Sequence, residues 1–128
     1  MTEAYQILVV EDEARWREDI FREALEEAGF LVQTSSTYTE AVAALERDDF
    51  DLVVIDVNLT GVSGNQDGVR LLEYLAAQDM QAETIVVSGS KTRDLAQEQV
   101  AMFRPRAFVD KMTFDIAQFI ELVTETLH

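Results

Sequence analysis

Leu52-Val53-Val54-Ile55-Asp56 is an apolar run closed by an acid. Hydrophobic residues in succession, without polar alternation, suit a strand buried on both faces, and such strands belong to parallel sheets covered by helices on either side. Ile7-Leu8-Val9-Val10, closed by Glu11-Asp12-Glu13, and Thr84-Ile85-Val86-Val87, closed by Ser88-Gly89-Ser90, repeat the pattern. Phe30-Leu31-Val32-Gln33-Thr34 and Ala107-Phe108-Val109 are shorter or partly polar and belong nearer a sheet edge, the second leading into Asp110-Lys111.

Between these runs the apolar residues take helical spacing. Ile20, Phe21, Ala24, Leu25 and Ala28 mark a first helix with Gly29 as its stop, and Ala41, Val42, Ala44 and Leu45 a second. Val69, Leu71, Leu72 and Leu75 mark a third, and Leu95, Val100, Ala101 and Met102 a fourth. Phe114, Ile116, Phe119, Ile120, Val123 and Leu127 mark a fifth. Five strands alternating with five helices predict a three-layer α/β sandwich, with ligands beyond the carboxyl ends of the central strands. The length of 128 residues and the absence of a linker-like stretch predict a single domain over 1–128.

Composition narrows the chemistry. Ten Lys and Arg against 25 Asp and Glu leave a formal charge of −15, which repels nucleic acid and anionic membranes. No apolar stretch reaches the length of a membrane span and the N-terminus lacks a basic leader, so a cytoplasmic protein is expected. With no Cys, and a single His at the C-terminus, thiolate chemistry, Cys-ligated metals and a His-based triad are excluded. Carboxylates, hydroxyls and Lys remain.

The strand ends supply those groups. Glu11 and Asp12 after the first strand and Asp56 after the third would gather negative charge at one edge, a cost that a hard divalent cation relieves. Mg2+ fits that role, and because it takes one or two carboxylates plus phosphate oxygens, a phosphoryl ligand is implied as well. Lys111 and the Ser88 hydroxyl are placed to meet it.

With these residues in order, the chain resembles the receiver domains of response regulators in two-component signalling, of the chemotaxis-regulator type, over essentially its whole length. The resemblance implies a flavodoxin-like, doubly wound five-stranded parallel sheet of order 2-1-3-4-5. It matches the family's acidic pair to Glu11 and Asp12, its phospho-accepting aspartate to Asp56, its hydroxyl to Ser88 and its lysine to Lys111. It further implies Mg2+ held by Asp12, Asp56, the Asn58 carbonyl and, through water, Glu11. Gly89 leaves room for the phosphoryl group, where a side chain would crowd the site, and Asn58 and Ser90 flank the path of a hydrolysing water and tune the lifetime of the adduct. Phe108 occupies the position of an aromatic switch coupled to Ser88, with plain core as the competing reading. The implied partners are a histidine kinase or histidine phosphotransfer protein and a downstream protein, with a dimer or output face on the fourth helix, fifth strand and fifth helix.

Some residues depart from the pattern. Glu11 stands where Asp is commoner. Met112 follows Lys111 where the family usually has Pro in a cis bond, so Lys111-Met112 is expected to be trans, which puts the aim of Lys111 in question. The segment 59–68 is long and glycine-bearing. Trp16 reads as a partner contact or as a half-buried aromatic. Three other functions compete. A degenerate receiver would act only as a binding surface, against which stands the retention of Glu11, Asp12, Asp56, Ser88 and Lys111. A phosphatase of the haloacid dehalogenase type would use Asp56-Val57-Asn58-Leu59-Thr60, but Asn58 cannot serve as its acid–base. A flavin-mononucleotide binder would need hydroxyls and glycines, not Glu11-Asp12-Glu13, after the first strand.

Overall fold

The computed structural model describes residues 4–56, 67–80, 82–89 and 103–127. Five strands, β1 (Gln6–Val10), β2 (Leu31–Ser35), β3 (Leu52–Asp56), β4 (Glu83–Ser88) and β5 (Ala107–Asp110), form one sheet of order β2-β1-β3-β4-β5. Every pairing is parallel. The sheet has the predicted topology, with the two weaker runs at its edges. Several strands run a residue further than their apolar stretch, because the ladder continues through Asp56 opposite Val87 and Ser88 opposite Asp110. Asp56 and Ser88 are therefore the last residues of their strands, held by sheet hydrogen bonds, instead of the first residues of loops.

The alternation of the pleat explains the two cores. Leu8, Val10, Val53, Ile55 and Val86 face one way, against α2 (Tyr38–Arg47) and α3 (Asp67–Ala77). Ile7, Val9, Leu52, Val54, Ile85 and Val87 face the other, against the first and last helices. β3 is buried from end to end. The last helix, α4 (Ile116–Leu127), is the fifth of the sequence reading; the fourth predicted helix, with Leu95, Val100, Ala101 and Met102, lies outside the described residues, as does 59–66.

The first helix, α1, departs from expectation. It starts as a π-helical stretch, Arg15–Arg22, and becomes α-helical only over Glu23–Glu27. Its end is as predicted. Gly29 takes φ +97°, its N–H bonds to the Glu26 carbonyl at 3.0 Å and the Phe30 N–H to the Leu25 carbonyl at 3.1 Å, a paired left-handed cap. Phe30 thus closes the helix and is buried there, while β2 begins one residue later.

α4 is started by a side-chain cap and an aromatic clamp. Asp115 Oδ1 accepts from the Gln118 N–H at 3.0 Å, and Phe114 packs on Phe119 with centroids 5.4 Å apart, so the residues before and after the cap clamp the first turn. Phe114 therefore precedes the helix that its spacing had suggested it joined.

Candidate functional site

Because β1, β3, β4 and β5 are parallel, their carboxyl ends lie along one edge, and the acids, Ser88 and Lys111 arrive there together. Carboxylate oxygens of Glu11, Asp12 and Asp56 all lie within 4.8 Å of one another. Glu11 is 0% exposed and Asp56 4%. Lys111 enters from β5, ion-pairs with Glu11 Oε1 and donates to Asp56 Oδ2 at 3.3 Å. Asp12 Oδ1 and Ser88 Oγ are buried with no hydrogen-bond partner among the described residues.

Three carboxylates beside one ammonium leave an excess of negative charge, which shifts the protonation of the acids. Burial and then the adjacent Asp56 push Glu11 up to about 7. Burial and then Glu11 push Asp12 up to about 6. Burial works against the charge on Lys111, but the Asp56 and Glu11 carboxylates outweigh it and hold the amine above its ordinary value.

A hard divalent cation fits this donor set. The oxygens converge, and Asp12 Oδ1 is buried with no hydrogen-bond partner among the described residues, a position that a cation or water can fill. The orphaned Ser88 hydroxyl, fully buried at the end of β4, likewise has a proton to offer an incoming acceptor. A Cβ built on Gly89 would meet nothing within 4 Å, so the space before it is open and only an arriving group could be crowded there.

Two residues near the pocket carry no sequence motif. Arg17 donates from one guanidinium nitrogen to the backbone carbonyls of Glu11 at 3.0 Å and Asp12 at 3.1 Å, fixing the loop that carries the acids. Trp16, half-buried on the π-helical stretch, lies under the Lys111 ammonium with 5.0 Å from Nζ to the ring centroid. The Lys111-Met112 peptide is trans as expected, there being no cis bond among the described residues, and the turn is closed by Asp110 Oδ1 accepting from the Met112 N–H at 2.8 Å. Phe108 is half-buried and packs against the core on the α2 and α3 side of the sheet. Asn58 and Ser90 lie outside the described residues.

An all-parallel sheet of this order, with acids and a lysine gathered at its carboxyl edge, defines a doubly wound domain with its site at the ends of the central strands. The chain belongs to the response regulator receiver domain family, whose model matches residues 7–124. The family's role is to accept a phosphoryl group in two-component signalling, and its members work with histidine kinases and downstream effectors.

A response regulator receiver domain (CheY-like) from Methylobacillus flagellatus is 30% identical, with 97% of this chain and 99% of that one covered and a TM-score of 0.77. The receiver domain of NtrX from Brucella abortus is 26% identical over 94% of this chain and 97% of its own, with a TM-score of 0.81. The transcriptional regulatory protein TcrA of Mycobacterium tuberculosis is 44% identical over 66 residues, 52% of this chain and 26% of its own length. The chain thus spans about a quarter of that relative, and 19% of the alginate biosynthesis regulator AlgB of Pseudomonas aeruginosa, to which it is 32% identical over 91 residues. Among the described residues, no helix is long and apolar enough to cross a membrane.

Proposed function

We propose that Asp56 is the phosphoryl acceptor of a single receiver unit spanning 1–128, acting in the cytoplasm. The observation that carries the proposal is the meeting of Glu11, Asp12, Asp56 and Lys111 in one buried pocket, with an acid oxygen and a hydroxyl that have no hydrogen-bond partner among the described residues.

An Asp56 carboxylate oxygen attacks the phosphorus of a phosphohistidine or of a small acyl phosphate. The new P–O bond forms as the bond to the leaving imidazole or carboxylate breaks, giving an aspartyl phosphate. Asp12 and Asp56 directly, the Asn58 carbonyl, and Glu11 through water would hold Mg2+, which when bound supplies charge neutralisation for the transferring group. Lys111 places a positive charge on a phosphoryl oxygen, Ser88 Oγ–H donates to another, and Gly89 leaves the approach open. Asn58 and Ser90 govern access of the hydrolysing water. When Ser88 turns toward the phosphoryl group, Phe108 follows into the vacated space, and the change is read on the face formed by the fourth predicted helix, β5 and α4. That face receives the downstream protein or a second copy. The phosphodonor is a histidine kinase or histidine phosphotransfer protein, and the charge of −15 argues against direct contact with nucleic acid.

The test is acetyl phosphate with Mg2+, followed by intact mass. The wild type gains one phosphoryl mass and Asp56→Asn gains none. Unchanged labelling of Asp56→Asn would move the acceptor elsewhere, a silent wild type would favour a pure binding module, and steady turnover of unrelated phosphomonoesters would favour the phosphatase.

A further inference from the structure

Lys111 is bounded on more than its acidic side. The two carboxylates attract its ammonium, but a flexible four-carbon arm can satisfy them from several rotamers, so attraction alone does not aim it. The Trp16 ring adds a direction, because a cation is favoured over the face of an indole and not at its rim.

The ring is itself fixed. Phe114 meets it edge-on, with centroids 5.3 Å apart and planes at 81°, and Phe21 lies against it at 5.7 Å. Phe119 packs on both Phe21 and Phe114, tying the group into the core beneath α1 and α4. Phe114 stands three residues after Lys111, so one short turn presents a cation to the face of the indole and an aromatic to its edge. Met112, between them, is 71% exposed and contributes little packing of its own.

We propose that Trp16 is a positioning residue for phosphoryl acceptance: its ring holds the Lys111 ammonium aimed at Asp56 and clamps the turn that carries it. The proposal deepens the acceptor reading and rests on it. Trp16 touches neither Asp56 nor the phosphoryl group in this role; it acts through Lys111.

The test uses Trp16→Leu, which keeps apolar bulk without a ring face, and Trp16→Phe, which keeps a face. In NMR spectra of the unphosphorylated wild type, the Lys111 methylene protons next to Nζ are shifted upfield by the indole ring current. That shift collapses in Trp16→Leu and persists in part in Trp16→Phe. The rate of labelling by acetyl phosphate and Mg2+ falls about 5-fold in Trp16→Leu, the scale of one lost cation–π contact, and recovers most of the way in Trp16→Phe. In a Lys111→Met background, Trp16→Leu slows labelling no further. An equal fall in both backgrounds, an unaltered rate in Trp16→Leu, or the absence of an upfield shift in the wild type overturns the proposal. A wild type that shows the shift but takes no phosphoryl mass overturns the acceptor reading and, with it, the catalytic purpose of the contact, leaving the contact itself established.

Discussion

Lys111 Nζ stands 3.3 Å from Asp56 Oδ2 although 55 residues separate them in the chain. The strands that carry them are not neighbours: β4 lies between β3 and β5, so the side chain reaches across the carboxyl end of β4, where Ser88 is buried. Two strand spacings come to about 10 Å, which a long arm launched from the tip of β5 can cover and a short one cannot. The same reach brings the ammonium to Glu11 on the far side of Asp56, and one cation then balances two acids while Asp12 has no ion pair among the described residues.

That imbalance gives two substitutions opposite signs. Lys111→Met leaves three buried or half-buried carboxylates without a counterion and should lower stability at pH 7.5 by on the order of 3 kcal/mol. Asp56→Asn removes one of the crowded charges and should raise stability by about 1 kcal/mol, or a few degrees in melting temperature. Thermal denaturation in chelator checks both, and a stabilised Lys111→Met would show that the pocket is relieved by protonation alone.

The crowding of buried acids gives a pH effect with a definite sign. Glu11 at about 7 and Asp12 at about 6 lie above their ordinary values of 4.5 and 3.8, so the folded chain binds these protons more tightly than the unfolded one. Their contribution to stability is complete below those ordinary values and is lost as pH rises through 6 and 7. Without Mg2+, melting temperature should therefore fall across this window, and Glu11→Gln should flatten the fall. Protons and Mg2+ compete for the same oxygens, so the stabilisation by Mg2+ should be larger at pH 8 than at pH 5.5. Differential scanning fluorimetry at the two pH values decides it, an equal Mg2+ effect at both being the contrary result.

How much of this was legible follows from what each feature depends on. β1, β3 and β4 announce themselves because both faces of a central strand are buried, and once they are parallel the acids at their ends must share an edge. The cap at Gly29 was legible because a left-handed residue after an apolar stripe favours glycine. The π-helical start of α1 carries no comparable pattern. Trp16 was undecided because its neighbours Phe114 and Lys111 lie nearly a hundred residues along the chain. Arg17 was missed because its acceptors are backbone carbonyls, which leave no mark on residue identity.

Two glycines should respond differently to the same methyl group. At Gly29, φ of +97° is a conformation that alanine adopts only with strain, so Gly29→Ala should cost about 1 kcal/mol and several degrees while labelling proceeds as in the wild type. At Gly89 the added Cβ meets nothing within 4 Å, so Gly89→Ala should melt with the wild type. Its labelling by acetyl phosphate should nonetheless slow several-fold, on the order of 1 kcal/mol in the barrier, because the space it fills is the space the phosphoryl group needs. Loss of stability without loss of rate at Gly89 would remove that residue from the approach path.

Arg17 offers a test of the acid pocket that alters none of its carboxylates. Its guanidinium bonds the carbonyls of both Glu11 and Asp12 and is itself held by Glu18 at 2.9 Å, so the loop presenting the acids is anchored to α1 through one planar fork. Without it the two carbonyls lose their donors and the acids lose a fixed spacing. Supports of this kind behind a cation site typically alter affinity about 10-fold or more. Arg17→Met should accordingly weaken Mg2+ binding by about 10-fold in calorimetric titration, and Arg17→Lys should recover only part of it, since an ammonium cannot reproduce the fork. If Arg17→Met bound Mg2+ as tightly as the wild type, the loop would be held without the guanidinium, by bonds such as the Glu11 N–H to the Ser35 carbonyl at 3.0 Å and the Glu13 N–H to Glu11 Oε2 at 3.2 Å.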